Sequence, residues 1–299
     1  MKIKHIVIPA GGVKGFHYYG ALKYLNKCKF WKHKNVKTIY GTSIGGLVAF
    51  LISFGVKWEQ LDDFLINLNL EDLVNLDASN LLCLFQNKAL ISNKIVDIVF
   101  TDFLEKLKLT DKLTLLEHYN ITKKEIHVYS VNINNDPLIL VDISYKTHPD
   151  LTVINAIKMT IAIPFIIEPV IYKNGCYIDG AMFETKPVNP CLSQTKCKNN
   201  EILILEQDDD WLRKIHKINK ESNIFDFSSL FFQSLLNYTT KNWYKIPDDL
   251  PYRVKIIYEK SIHNSWMDGF KNKETRINFI TQGEEMGKLF KLYVKEKIK

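Results

Sequence analysis

Val36-Lys37-Thr38-Ile39-Tyr40-Gly41-Thr42-Ser43-Ile44-Gly45-Gly46 places a Gly-x-Ser-x-Gly between a short apolar strand and an apolar helix. Residues 36–40 read as a buried strand, and the run at 44–55 reads as a helix that begins at the serine. A serine nucleophile needs such a junction, because a sharp strand-to-helix turn lifts its hydroxyl clear of the backbone. Glycines two positions either side make room for that turn. The helix N-terminus then brings N–H groups and partial positive charge to the place where an oxyanion would form. The bare pattern arises by chance in roughly one chain of this length in ten. Alone it is also readable as an ordinary tight turn, so its weight comes from the surroundings.

About thirty residues upstream, Ala10-Gly11-Gly12-Val13-Lys14-Gly15 repeats the strand-turn-helix context, with a strand expected at 4–9 and a helix at 15–28. Glycines let a backbone approach a substrate oxygen without a Cβ in the way, so Gly11, Gly12 and Val13 read as an oxyanion hole. Loss of one donor from such a hole typically slows turnover by ~10²–10³. A dinucleotide loop is disfavoured, because Ala10 replaces the first glycine of Gly-x-Gly-x-x-Gly and no acidic residue ends a second strand. A phosphate-binding P-loop is disfavoured because Gly15, not Ser or Thr, follows Lys14. Lys14 itself reads as a solvated or loop-bracing lysine whose charge could orient an anionic substrate.

A serine nucleophile needs a base. None of the eight histidines has a motif around it, and His148 and His263 remain as the candidates for a triad. Asp179, in Tyr177-Ile178-Asp179-Gly180-Ala181, is the better candidate, since it ends a short apolar strand and begins a turn that would hold a carboxylate rigidly. The alternative is a plain Asp-Gly turn, a common arrangement.

Four features taken in order resemble the patatin-like phospholipases. They are the loop from Gly11 through Gly15, the Gly41-Thr42-Ser43-Ile44-Gly45-Gly46 turn, the stretch at 156–169 with Ile163-Pro164-Phe165, and Asp179-Gly180-Ala181. The match spans roughly residues 5–190. Thr160 stands where the family's stretch commonly has Ser, and Ala10 where the loop commonly has its first glycine. The resemblance implies a three-layer α/β/α sandwich around a mostly parallel sheet. It implies a dyad, with Ser43 as nucleophile and Asp179 as proton acceptor. Gly11, Gly12 and Val13 would stabilise the oxyanion, while Lys14, Gly15, Gly41, Gly45, Gly180 and Ala181 would support the motifs. The expected reaction is hydrolysis of a lipid carboxylic ester through an acyl-enzyme, with no metal or other cofactor and independent of calcium.

Composition sets the bounds. The chain has 299 residues, 46% of them hydrophobic, enough for a large α/β domain. A catalytic domain is expected at 5–190 and a C-terminal α/β extension at 200–299, with 193–200 as the linker candidate. Cys28, Cys83, Cys176, Cys191 and Cys197 are odd in number and unpatterned, as expected of free thiols in a reducing compartment. The first residues read as a strand rather than a signal peptide, and no apolar run reaches the ~18 residues of a membrane span. A net charge of +7 suits contact with anionic headgroups, although a Lys-, Asn- and Ile-rich composition produces the same excess without selection on charge. With only Arg213, Arg253 and Arg276 as arginines, nucleic-acid binding is disfavoured.

Further strands are expected near 36–40, 125–132, 138–143, 176–178, 201–206 and 252–258. Further helices are expected near 44–55, 58–68, 92–107, 152–160, 224–240 and 274–296. This alternation argues for helices on both faces of the sheet. The leucine-rich stretch at 70–93 is a candidate lid or acyl-binding wall, or ordinary core. The helix at 224–240 and the basic amphipathic tail at 289–299 are the pieces that could meet a membrane; core packing is the simpler account of the first. The expected protein is a lipid acyl hydrolase, cytoplasmic and peripherally membrane-associated, with an activator protein as a further partner. An acyltransferase or thioesterase with the same dyad, or a silent lipid-binding module, is the alternative.

Overall fold

The computed structural model describes residues 2–68, 84–207, 249–257 and 272–298, with isolated positions at 218–220, 222, 227, 230, 231, 234, 247 and 269. The strands are β1 (His5–Ile8), β2 (Thr38–Thr42), β3 (Ala89–Ile91), β4 (Glu125–Asn132), β5 (Ile139–Ile143), β6 (Phe165–Ile167), β7 (Val170–Tyr172), β8 (Gly175–Asp179), β9 (Ile202–Gln207) and β10 (Arg253–Ile256). The helices are α1 (Gly15–Lys27), α2 (Ile44–Ser53), α3 (Trp58–Ile66), α4 (Lys94–Lys106), α5 (Leu115–Thr122), α6 (Val153–Ile161), α7 (Val188–Thr195) and α8 (Lys273–Ile298).

The main sheet runs β10-β9-β1-β2-β4-β8-β7, with β5 also paired to β4. From β10 to β4 every neighbour is parallel, and β5, β8 and β7 close one side with antiparallel pairings. The central strand β1 is His-Ile-Val-Ile, buried throughout, as a strand covered on both faces must be. Successive side chains alternate between two cores. Ile6, Ile8, Ile39, Val128 and Leu203 enter the larger one, beneath α1, α2, α4, α6 and α8. Val7, Tyr40, Tyr129 and Ile202 enter the smaller one, with Val188 and Cys191 of α7. The result is an α/β fold with helices on both faces of a mostly parallel sheet. β3 and β6 form a separate two-stranded parallel ribbon beside it.

The last third of the chain contributes directly to this sheet. β9 pairs with β1, placing His5 opposite Ile202. α8 lies along α1, and the approach is close enough that a Cβ on Gly20 would strike the Ile280 carbonyl and one on Gly283 the His17 carbonyl. Phe279 and Ile280 are buried there, while the Arg276 guanidinium donates to the carbonyls of Ile66 and Leu68, at 2.8 Å each, just past the end of α3. Further along α8, Phe290 and Val294 are buried, and Leu289, Leu292 and Tyr293 are exposed.

Most expected strands and helices are present within one to three residues. α5, α7, β3, β6 and β7 are additional. α5 opens with a capping box in which Thr114 Oγ1 accepts the Glu117 N–H and Glu117 accepts the Thr114 N–H, a signal readable as Thr-x-x-Glu. The three-residue strands are too short to show a period. Residues 193–195, part of the expected linker, instead complete α7. Of the expected helix at 224–240, positions 227, 230, 231 and 234 are described and helical. The rest of it lies outside the described residues, as do His216, His263 and residues 69–83.

A buried charge cluster braces the strand that leads to Ser43. The Tyr40 ring stacks on His127 at 4.4 Å between centroids, and His127 lies between Asp142 (2.8 Å from Nδ1) and Glu125 (2.9 Å from Nε2). Carboxylates at both ring nitrogens favour the doubly protonated imidazolium. Burial pulls the His127 pKa down, but hydrogen bonds and charges from Asp142 and Glu125 outweigh it and leave it raised.

Two outcomes test this packing. On helix propensity alone, Gly20→Ala should gain ~1 kcal/mol; against a fixed backbone carbonyl, overpacking costs ~1–3 kcal/mol, so the urea midpoint should fall. A higher midpoint would show that α1 and α8 can separate freely. The second outcome concerns pH. A raised folded pKa contributes stability that is present below the unfolded value of ~6.5 and is lost as pH rises through the folded value. The melting temperature of the wild type relative to His127→Gln should therefore decline from pH 6 upward, whereas a difference that grows with pH would mean that His127 folds uncharged.

Candidate active site

β1 and β2 both end, at their carboxyl edges, in glycine-bearing turns, so the two motifs meet above adjacent strands. Ser43 sits between β2 and α2 with φ 55° and ψ −128°, a left-handed conformation that lies outside both strand and helix. The turn is possible because the surrounding backbone is bare. A Cβ at Gly41 would meet the backbone of Gly45 and Gly46, and one at Gly45 would strike the Ile8 and Pro9 carbonyls. At Gly15 a Cβ would run into the Ile44 side chain, and at Gly180 into the Tyr129 carbonyl. These supporting glycines are thus required by close approach of chain to chain.

β8 carries the partner. Ser130 of β4 lies opposite Asp179 in the antiparallel ladder, which brings Asp179 toward the end of β2. The Ser43 hydroxyl donates to Asp179 Oδ2 at 2.6 Å, and the Ala181 N–H donates to Asp179 Oδ1 at 2.7 Å. Both side chains are buried. Burial dominates the carboxyl's energetics and pushes its pKa up to about 7, against the opposing hydrogen bonds from Ser43 and Ala181.

Thr160 braces the turn from a third element, α6. Its hydroxyl accepts the Ser43 N–H at 3.0 Å and donates to the Tyr129 carbonyl at 2.6 Å. A serine hydroxyl at this position could make the same pair of bonds, so threonine keeps the chemistry and adds a methyl. That methyl packs near Gly46, where a Cβ would come within 3.0 Å of it.

The upstream loop forms a 3-10 turn over Gly12–Lys14, with Gly12 at φ 55°. Among the described residues the N–H groups of Gly11, Gly12 and Val13 have no acceptor, the condition for an anion-binding nest. Lys14 is not solvated. It is buried, and its Nζ donates to Gln207 Oε1 at 2.9 Å. Gln207 Nε2 and the Tyr18 hydroxyl both donate to the Ala10 carbonyl, the latter at 2.8 Å, while the Ala10 N–H donates to Thr185 at 2.9 Å. Ala10 is not among the residues at positive φ, so its position makes no demand for glycine.

Gly12, Val13 and Ser43 open onto a cavity of ≈ 130 Å³, far above the ~10–15 Å³ that admits one water. Its walls are carbon: Leu47, Leu51, Phe64, Phe100, Ile161 and Ile166 among others, with Ile91 of β3 closing one side. Among the described residues of the candidate wall at 70–93, Ile91 lines the cavity. A straight hydrocarbon chain suits such a space, and a polar ligand does not.

No described histidine bonds to Ser43 or Asp179. His148 pairs with Thr147 at 2.9 Å, and His17 with Gln282 at 3.0 Å. His118 accompanies a serine, Ser53, at 2.7 Å. That hydroxyl, however, already donates to the Phe50 carbonyl, and burial pushes the imidazole down to about 3. The pair is sealed in the core and is structural. Among the described residues, no group of three or more His, Cys, Asp or Glu side chains could hold a metal. No described helix is long and apolar enough to cross a membrane.

The chain is 28% identical over 238 residues to the probable lipid hydrolase 463L of Invertebrate iridescent virus 6, covering 74% of this chain and 76% of that one. It is 22% identical over 188 residues to the uncharacterized protein R571 of Acanthamoeba polyphaga mimivirus, covering 62% of this chain and spanning 61% of that protein's length. Among solved structures it is similar to VipD from Legionella pneumophila, with a TM-score of 0.47, 16% identity, and coverage of 94% of this chain and 67% of that one. ExoU of the Pseudomonas aeruginosa type III secretion system, crystallised with SpcU, gives a TM-score of 0.41 at 15% identity, covering 96% of this chain and 52% of that one. The family model described as patatin-like phospholipase matches residues 6–192, and the chain belongs to that family.

Proposed function

We propose that the chain is a lipid acyl hydrolase of the phospholipase A or lysophospholipase type, acting through a Ser43–Asp179 dyad. The observation that carries this reading is the 2.6 Å hydrogen bond from Ser43 to Asp179 at the head of an apolar cavity. As Ser43 Oγ attacks the ester carbonyl, its proton passes to Asp179 Oδ2. The oxyanion is received by the N–H groups of Gly11, Gly12 and Val13 and by the positive end of α2. Collapse of the tetrahedral intermediate expels the lipid alcohol, which takes its proton from Asp179. Water, deprotonated by Asp179, then attacks the acyl-enzyme, and the departing Ser43 Oγ takes that proton back from Asp179 as the fatty acid is released. A carboxyl held at about 7 is well matched to both proton transfers near neutral pH.

Backbone N–H groups supply the charge stabilisation in this scheme, so hydrolysis is expected to persist with a calcium chelator present. Residues 5–190 would form the catalytic domain, and residues 200–299 an α/β extension that completes it. A membrane-lipid substrate would bring peripheral contact with a membrane surface, with the cytoplasmic side as the proposed one. Exposed Leu289, Leu292 and Tyr293 beside Lys288, Lys291 and Lys295 on α8 support that contact. An activator protein remains part of the proposal as a second partner.

Ser43→Ala and Asp179→Asn should each lower fatty-acid release from phospholipid vesicles by at least ~10³-fold. Ser43→Ala should also abolish labelling by a fluorophosphonate, while melting curves stay cooperative. Full activity in either folded variant would remove that residue from the mechanism. The pH profile gives an independent check. Asp179 accepts a proton only when ionised, so kcat/KM should rise with pH to a plateau, with its acidic midpoint near 7. A midpoint near the ordinary carboxylate value of ~4 would show that the base is not this buried group.

A further inference from the structure

We infer that Gln207 is a positioning residue for the oxyanion loop, contributed by the chain beyond the part that matches the family. The inference rests on the hydrolase reading above and adds to it a residue with no motif around it.

One peptide unit joins the clamp to the loop. The carbonyl of Ala10 and the N–H of Gly11 belong to the same planar trans group, so they point in opposite directions. Whatever holds the carbonyl fixes the direction of the N–H. Two donors hold it: the Tyr18 hydroxyl from α1, and Gln207 Nε2 from the last position of β9. Both crowd the same side of the loop, because a Cβ on Gly11 would strike the Tyr18 hydroxyl and come within 2.9 Å of Gln207 Nε2. The Gly11 N–H is therefore held away from them and left without an acceptor among the described residues.

Lys14 sets the orientation of the amide. An ammonium only donates, so Gln207 must turn Oε1 toward Lys14 Nζ, 2.9 Å away, and this leaves the NH₂ facing the Ala10 carbonyl. The loop's lysine is thus tied through a glutamine back to the first carbonyl of its own loop. The buried position of Lys14 makes the contact resistant to competition from water. Register explains how a residue so distant in sequence arrives there. β9 runs parallel to β1 with Val7 opposite Ile204, so three residues on, its end lies beside Ala10.

The test uses the full-length chain, a p-nitrophenyl fatty-acyl ester, and two probes. One is an alkyl trifluoromethyl ketone, whose hemiketal with Ser43 presents an oxyanion to the loop. The other is the corresponding alkyl alcohol, which fills only the apolar cavity. Complete loss of an oxyanion donor costs ~10²–10³ in turnover; for a donor merely released from its clamp, Gln207→Ala is expected to lower kcat about tenfold with KM unchanged. Ketone affinity should fall by the same factor, and alcohol affinity should hold. Gln207→Glu, which turns a carboxylate oxygen toward the Ala10 carbonyl, should be slower than Gln207→Ala despite a stronger pairing with Lys14. Lys14→Met, which frees the amide to rotate, provides a second variant should Gln207→Ala not fold. Unchanged kcat in folded Gln207→Ala, or equal loss of ketone and alcohol binding, would overturn the positioning role while leaving the hydrolase reading intact. Absence of Ser43-dependent turnover in the wild type would overturn both.

Discussion

Everything at this site depends on how closely α2 can descend onto β1 and β2. Gly41 and Gly45 are in backbone contact, and Gly45 also lies against the carbonyls of Ile8 and Pro9. That approach forces Ser43 into a left-handed conformation with its hydroxyl directed at Asp179. A single methyl at either glycine would push the helix outward, and the serine would relax toward an ordinary turn. Strain at Ser43 and bareness of the glycines are two sides of one packing decision. The Thr160 hydroxyl, bound to the Ser43 N–H, holds the result in place from a third element.

The sequence displays this decision openly, because close backbone approach requires glycine and glycine is visible. Ser43, Gly41, Gly45 and the loop glycines were therefore legible together with their strands, and so was the α/β layering, since strands and helices alternate along the chain and β1 and β9 carry apolar runs. Asp179 was legible from its place at the end of a strand before a glycine. Contacts made by side chains that many positions could carry were less so. Thr160, Tyr18 and Gln207 act through a hydroxyl or an amide whose partners are set by sheet register, and register between strands distant in sequence leaves no local trace. Lys14 illustrates the same limit. Its bracing role was one of two open readings, and only the position of β9 decides between them.

Two buried charge arrangements in this protein are handled in opposite ways. His127 is enclosed by two carboxylates and an aromatic ring, so its charge is compensated at each nitrogen. Asp179 is enclosed with a hydroxyl and one N–H and, among the described residues, with no cation beside it, so its charge is held at high energy. The first arrangement suits a brace beneath the strand that bears Ser43. The second suits a group that must take up and return a proton.

The position of β9 also orders events in time. The strand that bears the glycine loop has β2 on one side and β9 on the other, so a growing polypeptide that has emerged only as far as α7 holds Ser43 and Asp179 but leaves one edge of β1 unpaired. The loop's anchor on Gln207 is missing at that stage as well. The glycine loop therefore gains its second flanking strand and its anchor only once β9, which follows both Ser43 and Asp179 in the chain, has paired with β1.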